Sequence, residues 1–414
     1  MISSKLPPRV AIVYDWTTSS HGGAERVLKA LKQAFPGADL FSAIGSSAAK
    51  KWLNTWPVQT SFLNQIPGAA KFKDLLAWLL PLAFESLDLR KYQVVISVTS
   101  SFAKSILTTS SQLHICYLLS PPRFLYSHES DYQKTRWWFK LPLVNQIYRW
   151  VKSYLKMVDY ATAYRPDLIV PISQLVLKRS KSAYGLIINQ PIYPTLPVNF
   201  QPIPYSFKKL LPQYLLIVSR LVAYKHHEIA ILAALENKRS VIVVGEGPEM
   251  ANLVMISGSA AIVRARLDTL ATFFARHQKR LLPSIYFVRS CSDQEVSWLY
   301  QSAQALLIPA VEDFGITGIE AALHGIPTIL PKQSGVAEQL DEAINAVYSS
   351  DETLAAFSAA VKELETRNFV SEPLQTRAVR YDTEAFISQF RTYVANAWKE
   401  HLCKQHSITL LQSS

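Results

Sequence analysis

Short apolar runs alternate with longer amphipathic stretches along almost the whole chain. RVAIVYDW is followed by AERVLKALKQAF, VVISVTS and HICYLLS are further short runs, and DLIVPIS follows a long helical stretch. The second half repeats the rhythm with YLLIVSR then HHEIAILAALEN, SVIVVGEG, SIYFVRS then DQEVSWLYQSA, ALLIPAV and PTILP. Strands alternating with helices predict parallel sheets covered on both faces. A proline-rich, poorly periodic segment, NQPIYPTLPVNFQPIPYSFKKLLPQ, separates the halves and places a linker near residues 190–210. At 414 residues the chain is too long for one ordinary core, so two doubly wound α/β domains are expected. Ligands in such sheets bind outside the carboxyl ends of the strands, which here are expected to face a cleft.

Composition narrows the setting. Hydrophobic residues make up 49% and charged residues 18%, as in a well-packed soluble protein. Cys116, Cys291 and Cys403 are scattered and odd in number, which argues against a disulfide framework and for a reducing compartment. The start, MISSKLPPRVAIVYDW, has no long apolar core before a small-residue cleavage site, and DLLAWLLPLAF is too short to span a bilayer. The expected location is the cytoplasm. A net charge of +12, from 43 Lys and Arg against 31 Asp and Glu, implies an anionic partner: nucleic acid, acidic lipid or phosphorylated small molecules.

Three stretches can carry chemistry. In YLLIVSRLVAYKHHEIAILAAL, Arg220 ends the apparent strand, and Lys225 with His226 and His227 opens the helix. Cations at a helix N-terminus oppose the macrodipole, and a bound phosphate resolves the conflict. Arg220 can clamp a diphosphate with its planar fork while Lys225 supplies a point charge; the same pattern also fits two solvated side chains. In SSHGGAERVL, Gly22 and Gly23 let backbone amides approach a phosphate, or form a tight strand-to-helix turn. GEGPE at 245–249 reads mainly as a turn.

The third stretch, VEDFGITGIEAALHGIP, sets Glu312 and Glu320 eight positions apart. Thr317 and Glu320 have the spacing of a capping box, with Gly325 as the helix stop. That account leaves Glu312 unexplained at the end of the buried run ALLIPAV. A carboxylate accepts two hydrogen bonds in one plane and suits adjacent sugar hydroxyls. Amides around Phe314–Thr317 would face an anion between the two acids. No Asp-x-Asp pair occurs, so the acidic ligands usual for a metal-neutralised diphosphate are not expected.

EDFGITGIEAALHGIP resembles the E-x₇-E signature of the retaining glycosyltransferases of family 4, which have the GT-B fold. YLLIVSRLVAYK is similar to their strand-Arg…Lys diphosphate clamp, and HGGAER to their N-terminal glycine loop. LAFESLDLRKYQVVISVTSSFAKSI and HICYLLSPPRFLY resemble the bacterial mannosyltransferase-like branch that builds surface polysaccharides. The resemblance runs from about residue 9 to 400 in order. It implies an N-terminal Rossmann-like acceptor domain over 1–200, a nucleotide-sugar domain over 206–383, and a C-terminal helix, 384–414, crossing back to the first. It further implies that Glu312 contacts the hydroxyls of the transferred sugar and Glu320 the ribose. Backbone amides at Phe314, Gly315 and Ile316 would lie near sugar and phosphate. Arg220 and Lys225 would bind the diphosphate, with Gly22 and Gly23 approaching it from the other domain. No metal and no cofactor are expected, GDP-mannose being the donor the resemblance favours. One departure bears on activity. The branch usually reads Tyr-Cys-His-Thr-Pro where this chain has Tyr117-Leu-Leu-Ser-Pro121, so Leu119 takes the place of the family histidine. Leucine neither donates a hydrogen bond nor shuttles a proton. Arg289 likewise replaces a glycine common near the base.

On the acceptor side, Val144, Ile147, Tyr148, Val151, Leu155 and Val158 form one helical stripe that predicts core packing, with Arg149, Lys152 and Lys156 elsewhere on the helix. Trp137 and Trp138 lie among Lys134, Arg136 and Lys140, a mixture that suits an anionic membrane interface or an ordinary basic surface. The expected protein is a metal-independent retaining hexosyltransferase acting on a lipid-linked or growing surface glycan at the inner face of the cytoplasmic membrane. The alternatives are a non-catalytic nucleotide-sugar-binding homologue or scaffold subunit of a glycan-assembly complex, favoured by Leu119, and a nucleic-acid-binding protein. The last is disfavoured because the basic residues form no recognisable nucleic-acid module.

Overall fold

The computed structural model describes residues 8–18, 22–46, 53, 56–73, 75–127, 142–195, 213–265, 268–277, 283–369 and 381–412. The chain divides into two compact units, Met1–Thr195 with Thr383–Ser414, and Leu196–Asp382.

The first unit is built on six parallel strands: β1 (Val10–Thr17), β2 (Asp39–Gly45), β3 (Val58–Thr60), β4 (Val94–Thr99), β5 (Leu113–Leu118) and β6 (Leu168–Pro171). They lie in the order β3-β2-β1-β4-β5-β6. The sheet therefore winds both ways from β1, and its switch point lies between β1 and β4, which pair in parallel with Val10 opposite Val94. β4 and β5 are buried along their whole length, which is why VVISVT and LHICYL read as unbroken apolar runs and not as alternation. Helices α1 (Gly23–Ala34), α2 (Leu80–Glu85), α3 (Arg123–Tyr126), α4 (Pro142–Thr162), α5 (Gln174–Tyr184) and the last helix, Thr383–Gln412, complete the unit. On one sheet face Ala11, Val13, Phe41, Ala43 and Val95 pack with Phe84 of α2 and Leu155 of α4. The last helix is tied to α1, where Arg391 Nε donates to Ala34 O (2.6 Å) and its NH2 group to Gln33 O (2.8 Å). These are among the terminal carbonyls that α1 cannot satisfy itself. Phe390 adds ring contacts to Phe35 and Tyr117.

Only part of the stripe expected on α4 turns inward. Leu155 is buried and Val151 packs on the core, but Ile147 is exposed. Trp137, Trp138 and their basic neighbours lie outside the described residues. His114 is buried with its Nε2 at 2.9 Å from Ser97 Oγ, and burial lowers its pKa to about 3, with Arg165 adding to the effect.

Beneath the loop after β4 lies a fully buried ion pair between Lys104 and Asp159. Lys104 Nζ also donates to Ser101 O (2.9 Å), and Tyr126 donates to the second carboxylate oxygen of Asp159 (3.0 Å). Beside it, the buried carboxylate of Asp15 accepts from Thr99 Oγ1 (2.7 Å) and from the amides of Ser100 (2.7 Å) and Ala103 (3.0 Å). Burial raises the pKa of Asp15 against these hydrogen bonds.

The second unit has seven parallel strands: β7 (Leu215–Val218), β8 (Val241–Val244), β9 (Ala261–Val263), β10 (Ile285–Val288), β11 (Ala305–Leu307), β12 (Thr328–Pro331) and β13 (Ala346–Ser349). Their order is β13-β12-β11-β7-β8-β10-β9. Between them run α6 (His227–Glu236), α7 (Met250–Ser257), α8 (Leu270–His277), α9 (Asp293–Ser302), α10 (Ile316–Leu323) and α11 (Leu354–Glu363). The core gathers Leu215, Ile217, Val241, Val243, Ile285 and Ile329 from the sheet with Ala230 and Ala234 of α6 and Phe357 of α11. Two doubly wound parallel sheets, each with helices, are the α/β architecture the sequence predicts.

Removing one partner of a buried ion pair leaves the other charge desolvated and uncompensated. Asp159→Ala is expected to cost the first unit about 3–5 kcal/mol, whereas the double change Lys104→Met, Asp159→Leu recovers much of it. Urea unfolding of the three proteins checks the order.

Candidate functional site

β7 and β11 are hydrogen-bonded neighbours, with Leu215 opposite Ala305 and Leu216 opposite Leu306. The chain runs from β7 outward to β8 and beyond, then returns to β11 on the other side of β7. Loops leaving the carboxyl ends of these two strands are thus side by side at the switch point of the sheet.

The loop after β7 carries Arg220, which is exposed, with its NH2 group donating to Tyr224 Oη (3.2 Å). Its backbone is seated on the loop after β8. The Leu221 amide donates to Glu246 O (2.9 Å) and the Glu249 amide to Leu221 O (3.1 Å). A Cβ on Gly245 would fall 1.8 Å from Ser219 O, and one on Gly247 would fall 2.1 Å from Leu221 O. The two glycines of GEGPE therefore allow backbone to lie on backbone, a role beyond the simple turn expected. Lys225 lies in a 3-10 turn, Ala223–Lys225, one step before α6, not in the helix. His226 holds the N-cap position with φ 50°, and no side chain caps α6. His227 is buried, and burial, aided by the charges of Lys225 and His226, lowers its pKa to about 3.

The loop after β11 brings Glu312 to Lys225, and the two side chains form an ion pair only 15% and 16% exposed. Glu312 is held by its backbone as well: its amide donates to Ser334 Oγ (3.0 Å), and the Gly335 amide donates to Glu312 O (2.7 Å). A Cβ on Gly335 would lie 2.1 Å from Asp313 O. Ser334 and Gly335, in the loop after β12, are supports that the sequence reading missed; the Ser-Gly step directly after the PTILPKQ run was the available signal.

Gly315 is the N-cap of α10 with φ 71°, and a Cβ there would fall 1.9 Å from Val336 Cγ2. No side chain caps this helix, so the expected capping box between Thr317 and Glu320 does not form. The reason is register: with Gly315 at the N-cap, Thr317 already lies inside the first turn, where its hydroxyl cannot take the capping position. The helix ends as expected at Gly325 (φ 72°), with Ile326 N–H on Ala321 O and Gly325 N–H on Ala322 O. Glu320 is buried, and its Oε2 accepts from Tyr300 Oη (3.1 Å). The Tyr300 ring stacks on His324 at 5.0 Å, and His324 is held by Ser297 Oγ and the Glu320 carbonyl (2.9 and 2.8 Å). Phe314 is buried, its ring edge-on to Tyr381.

The second unit therefore brings Lys225, Glu312, Gly315 and Ile316 together at the start of α10, with Arg220 on the same loop as Lys225. Partial positive charge at an uncapped helix start, with a lysine beside it, is an anion site in chemical character. The Glu312 carboxylate that neutralises Lys225 is a hydrogen-bond acceptor beside it. Gly22 and Gly23 lie in the first unit, at the start of α1. Gly22 is the N-cap in extended conformation, and a Cβ on it would fall 2.4 Å from Glu25 Oε2. Glu25, an acid in that first turn also missed from sequence, takes a hydrogen bond from Tyr14 Oη (3.4 Å). Leu119 is half-buried just beyond β5, its amide donating to Thr99 O (2.8 Å), and Arg289 is exposed just beyond β10. Among the described residues, no three His, Cys, Asp or Glu side chains cluster as metal ligands would.

Residues 206–384 match the family model described as glycosyl transferases group 1. No curated protein matches the chain. Among solved structures, Anabaena Alr3699/HepE in complex with UDP-glucose is similar at TM-score 0.61 and 16% identity, covering 94% of this chain and 99% of that one. Sucrose-phosphate synthase from Thermosynechococcus elongatus is similar at TM-score 0.67 and 14% identity, covering 95% and 100%. The lipopolysaccharide outer core galactosyltransferase WaaB, in its apo form, is similar at TM-score 0.57 and 13% identity, covering 94% and 99%. At such identities the likeness establishes the fold, GT-B.

The buried His227 makes the stability of the second unit pH-dependent. In the unfolded chain the ring takes up a proton near pH 6.5, in the folded chain only near 3. The unfolded state binds more protons between these values, so stability is full above 6.5 and falls as the pH drops. From there to about pH 5 the loss is about 1.5 kcal/mol. Denaturant titrations at both pH values are expected to show that His227→Gln removes this share of the slope.

Proposed function

We propose that the chain is a retaining glycosyltransferase that moves a hexose from a nucleotide-sugar donor to a lipid-linked or polysaccharide acceptor. The observation that carries the reading is the Lys225–Glu312 pair at the uncapped start of α10, on adjacent strand ends of a unit that matches glycosyl transferases group 1. In this reading the donor diphosphate takes Lys225 from Glu312. Lys225, Arg220 and the amides of Phe314, Gly315 and Ile316 then neutralise the charge that develops on the departing nucleoside diphosphate. The released Glu312 carboxylate accepts hydroxyls of the transferred hexose, and Glu320, oriented by Tyr300, takes the ribose. Because fixed cations and backbone dipoles do this work, the transfer is metal-independent. The anomeric configuration is retained, with the diphosphate itself helping to deprotonate the acceptor hydroxyl.

Sequence resemblance favours GDP-mannose, while a structural neighbour in complex with UDP-glucose supports a uridine donor equally well. A thermal-shift panel of both nucleotide sugars separates them, since a bound donor raises apparent stability by mass action. The second reading, a nucleotide-sugar-binding homologue without turnover, is favoured by Leu119 where the resemblance puts a histidine. Donor incubated alone distinguishes the two: the enzyme slowly releases nucleoside diphosphate and the pure binder releases none.

Lys225→Met is expected to weaken donor binding about 10- to 100-fold, because it removes a charge-assisted contact. Glu312→Gln should keep donor affinity within a few-fold and lower turnover about 100-fold, with EDTA leaving the wild type unchanged. Calorimetry gives the affinities and steady-state kinetics the turnover. A Glu312→Gln protein as active as the wild type removes the role assigned to that residue.

A further inference from the structure

The Glu312 carboxylate can serve a sugar hydroxyl only if the chain that carries it is fixed, because a misplacement of about 1 Å can cost about a hundredfold in rate. Two of its braces, Ser334 and Gly335, come from the loop after β12, the strand paired with β11. A third comes from farther away. The amide of Val311, one residue before Glu312, donates to Glu352 Oε1 (2.7 Å). Glu352 follows β13, the edge strand of the sheet, so this contact joins loops from two strands that are not neighbours.

A brace works only if its own base is held, and the turn that carries Glu352 is tied down on both sides. Before it, Ser349 pairs with Pro331 in the sheet, the Lys332 amide donates to Ser349 O (3.2 Å), and Gln333 Nε2 donates to Ser350 O (2.8 Å). After it, Thr353 caps α11 by accepting from the Ala356 amide, and its own amide donates to Asp351 Oδ1 (2.8 Å). An acid one residue before a helix cap also suits the helix dipole. That role is met with the side chain in solvent, whereas Glu352 is half-buried and bonded to Val311. A carboxylate accepting a backbone amide makes a charge-assisted bond, about twice as strong as a neutral one. We propose that Glu352 is a positioning residue, which fixes the Val311–Glu312 backbone from the edge of the sheet and so sets where the Glu312 carboxylate lies. The consequence for turnover rests on the transferase reading; the brace itself does not.

Two measurements on the full chain test the two halves. Amide hydrogen exchange is read on a peptide spanning residues 308–318, and release of nucleoside diphosphate is followed with UDP-glucose and with GDP-mannose. Glu352→Ala is expected to quicken exchange in that peptide about tenfold, because the Val311 amide loses its acceptor. It should lower kcat about 10- to 100-fold and leave the donor KM within a few-fold, since Lys225 is untouched. Glu352→Gln, whose side-chain carbonyl still accepts the amide, should restore both slow exchange and turnover. A merely structural contact would lower the melting temperature and leave kcat of the folded protein as it was. Exchange in Glu352→Ala at the wild-type rate overturns the proposal. So does faster exchange with kcat unchanged, or a glutamine variant that rescues neither. Faster exchange in a chain that releases no diphosphate upholds the brace and removes only the transferase reading.

Discussion

Parallel pairing of β7 with β11 puts Ala305 opposite Leu215 although ninety positions separate them in the chain. Everything chemical in the second unit follows from that adjacency. Side chains reach only a few ångströms, so a lysine just after one strand meets a glutamate just after another only if the strands are neighbours. The order of a doubly wound sheet makes β7 and β11 neighbours, because the chain must cross over β7 once β8, β9 and β10 fill one side. Glycines then set the spacing of the loops. At Gly245, Gly247 and Gly335 a methyl group would meet a backbone oxygen at 1.8–2.1 Å, so the loop after β8 packs main chain to main chain on the loop after β7, and the loop after β12 on the loop after β11.

Electrostatics explains why the lysine and glutamate stay together. Each is mostly withdrawn from water, and a lone charge at that depth is costly unless it is paired. Without a ligand, each is the other's counter-ion. In the proposed reading a bound diphosphate would offer Lys225 two charges in place of one and free the carboxylate for hydroxyls. Affinity for an anion and availability of a hydrogen-bond acceptor would then be coupled in one exchange of partners. Glu320 is separate from this exchange, because Tyr300 and the His324 stack fix its carboxylate within the helix layer.

The strands and the two-unit division were legible because a strand buried on both faces must be a continuous apolar run, and VVISVT or VIVV admits few other readings. Glu312 was legible for a related reason: an acid at the end of a buried run needs an explanation. The capping box was misread because its spacing is satisfied by residues that the left-handed N-cap Gly315 has set two positions inward, and sequence spacing carries no register. The same limit hid Gly245 and Gly247, whose role depends on a loop more than twenty positions earlier in the chain. On α4, periodicity identified an apolar stripe but could not show that a second one faces outward, since Trp, Tyr and Met suit either side.

The two units place doubly wound sheets of different strand number and order under different electrostatic conditions. In each, neighbouring strands at the switch point aim their loops at one place. In the first unit that place is taken by the protein's own anion: Asp15, at the end of β1, accepts the amides of Ser100 and Ala103 and the hydroxyl of Thr99, all from the end of β4 and its loop. In the second unit the acid lies on the other side of the switch point, after β11: Glu312 turns to Lys225, from the loop after β7, and no side chain caps α10. A donor group satisfied from within the fold has no further use for a phosphate, whereas a helix start with fixed cations beside it does. The two sheets thus differ in where a carboxylate at the switch point is spent: on the loop amides in the first unit and on a lysine in the second.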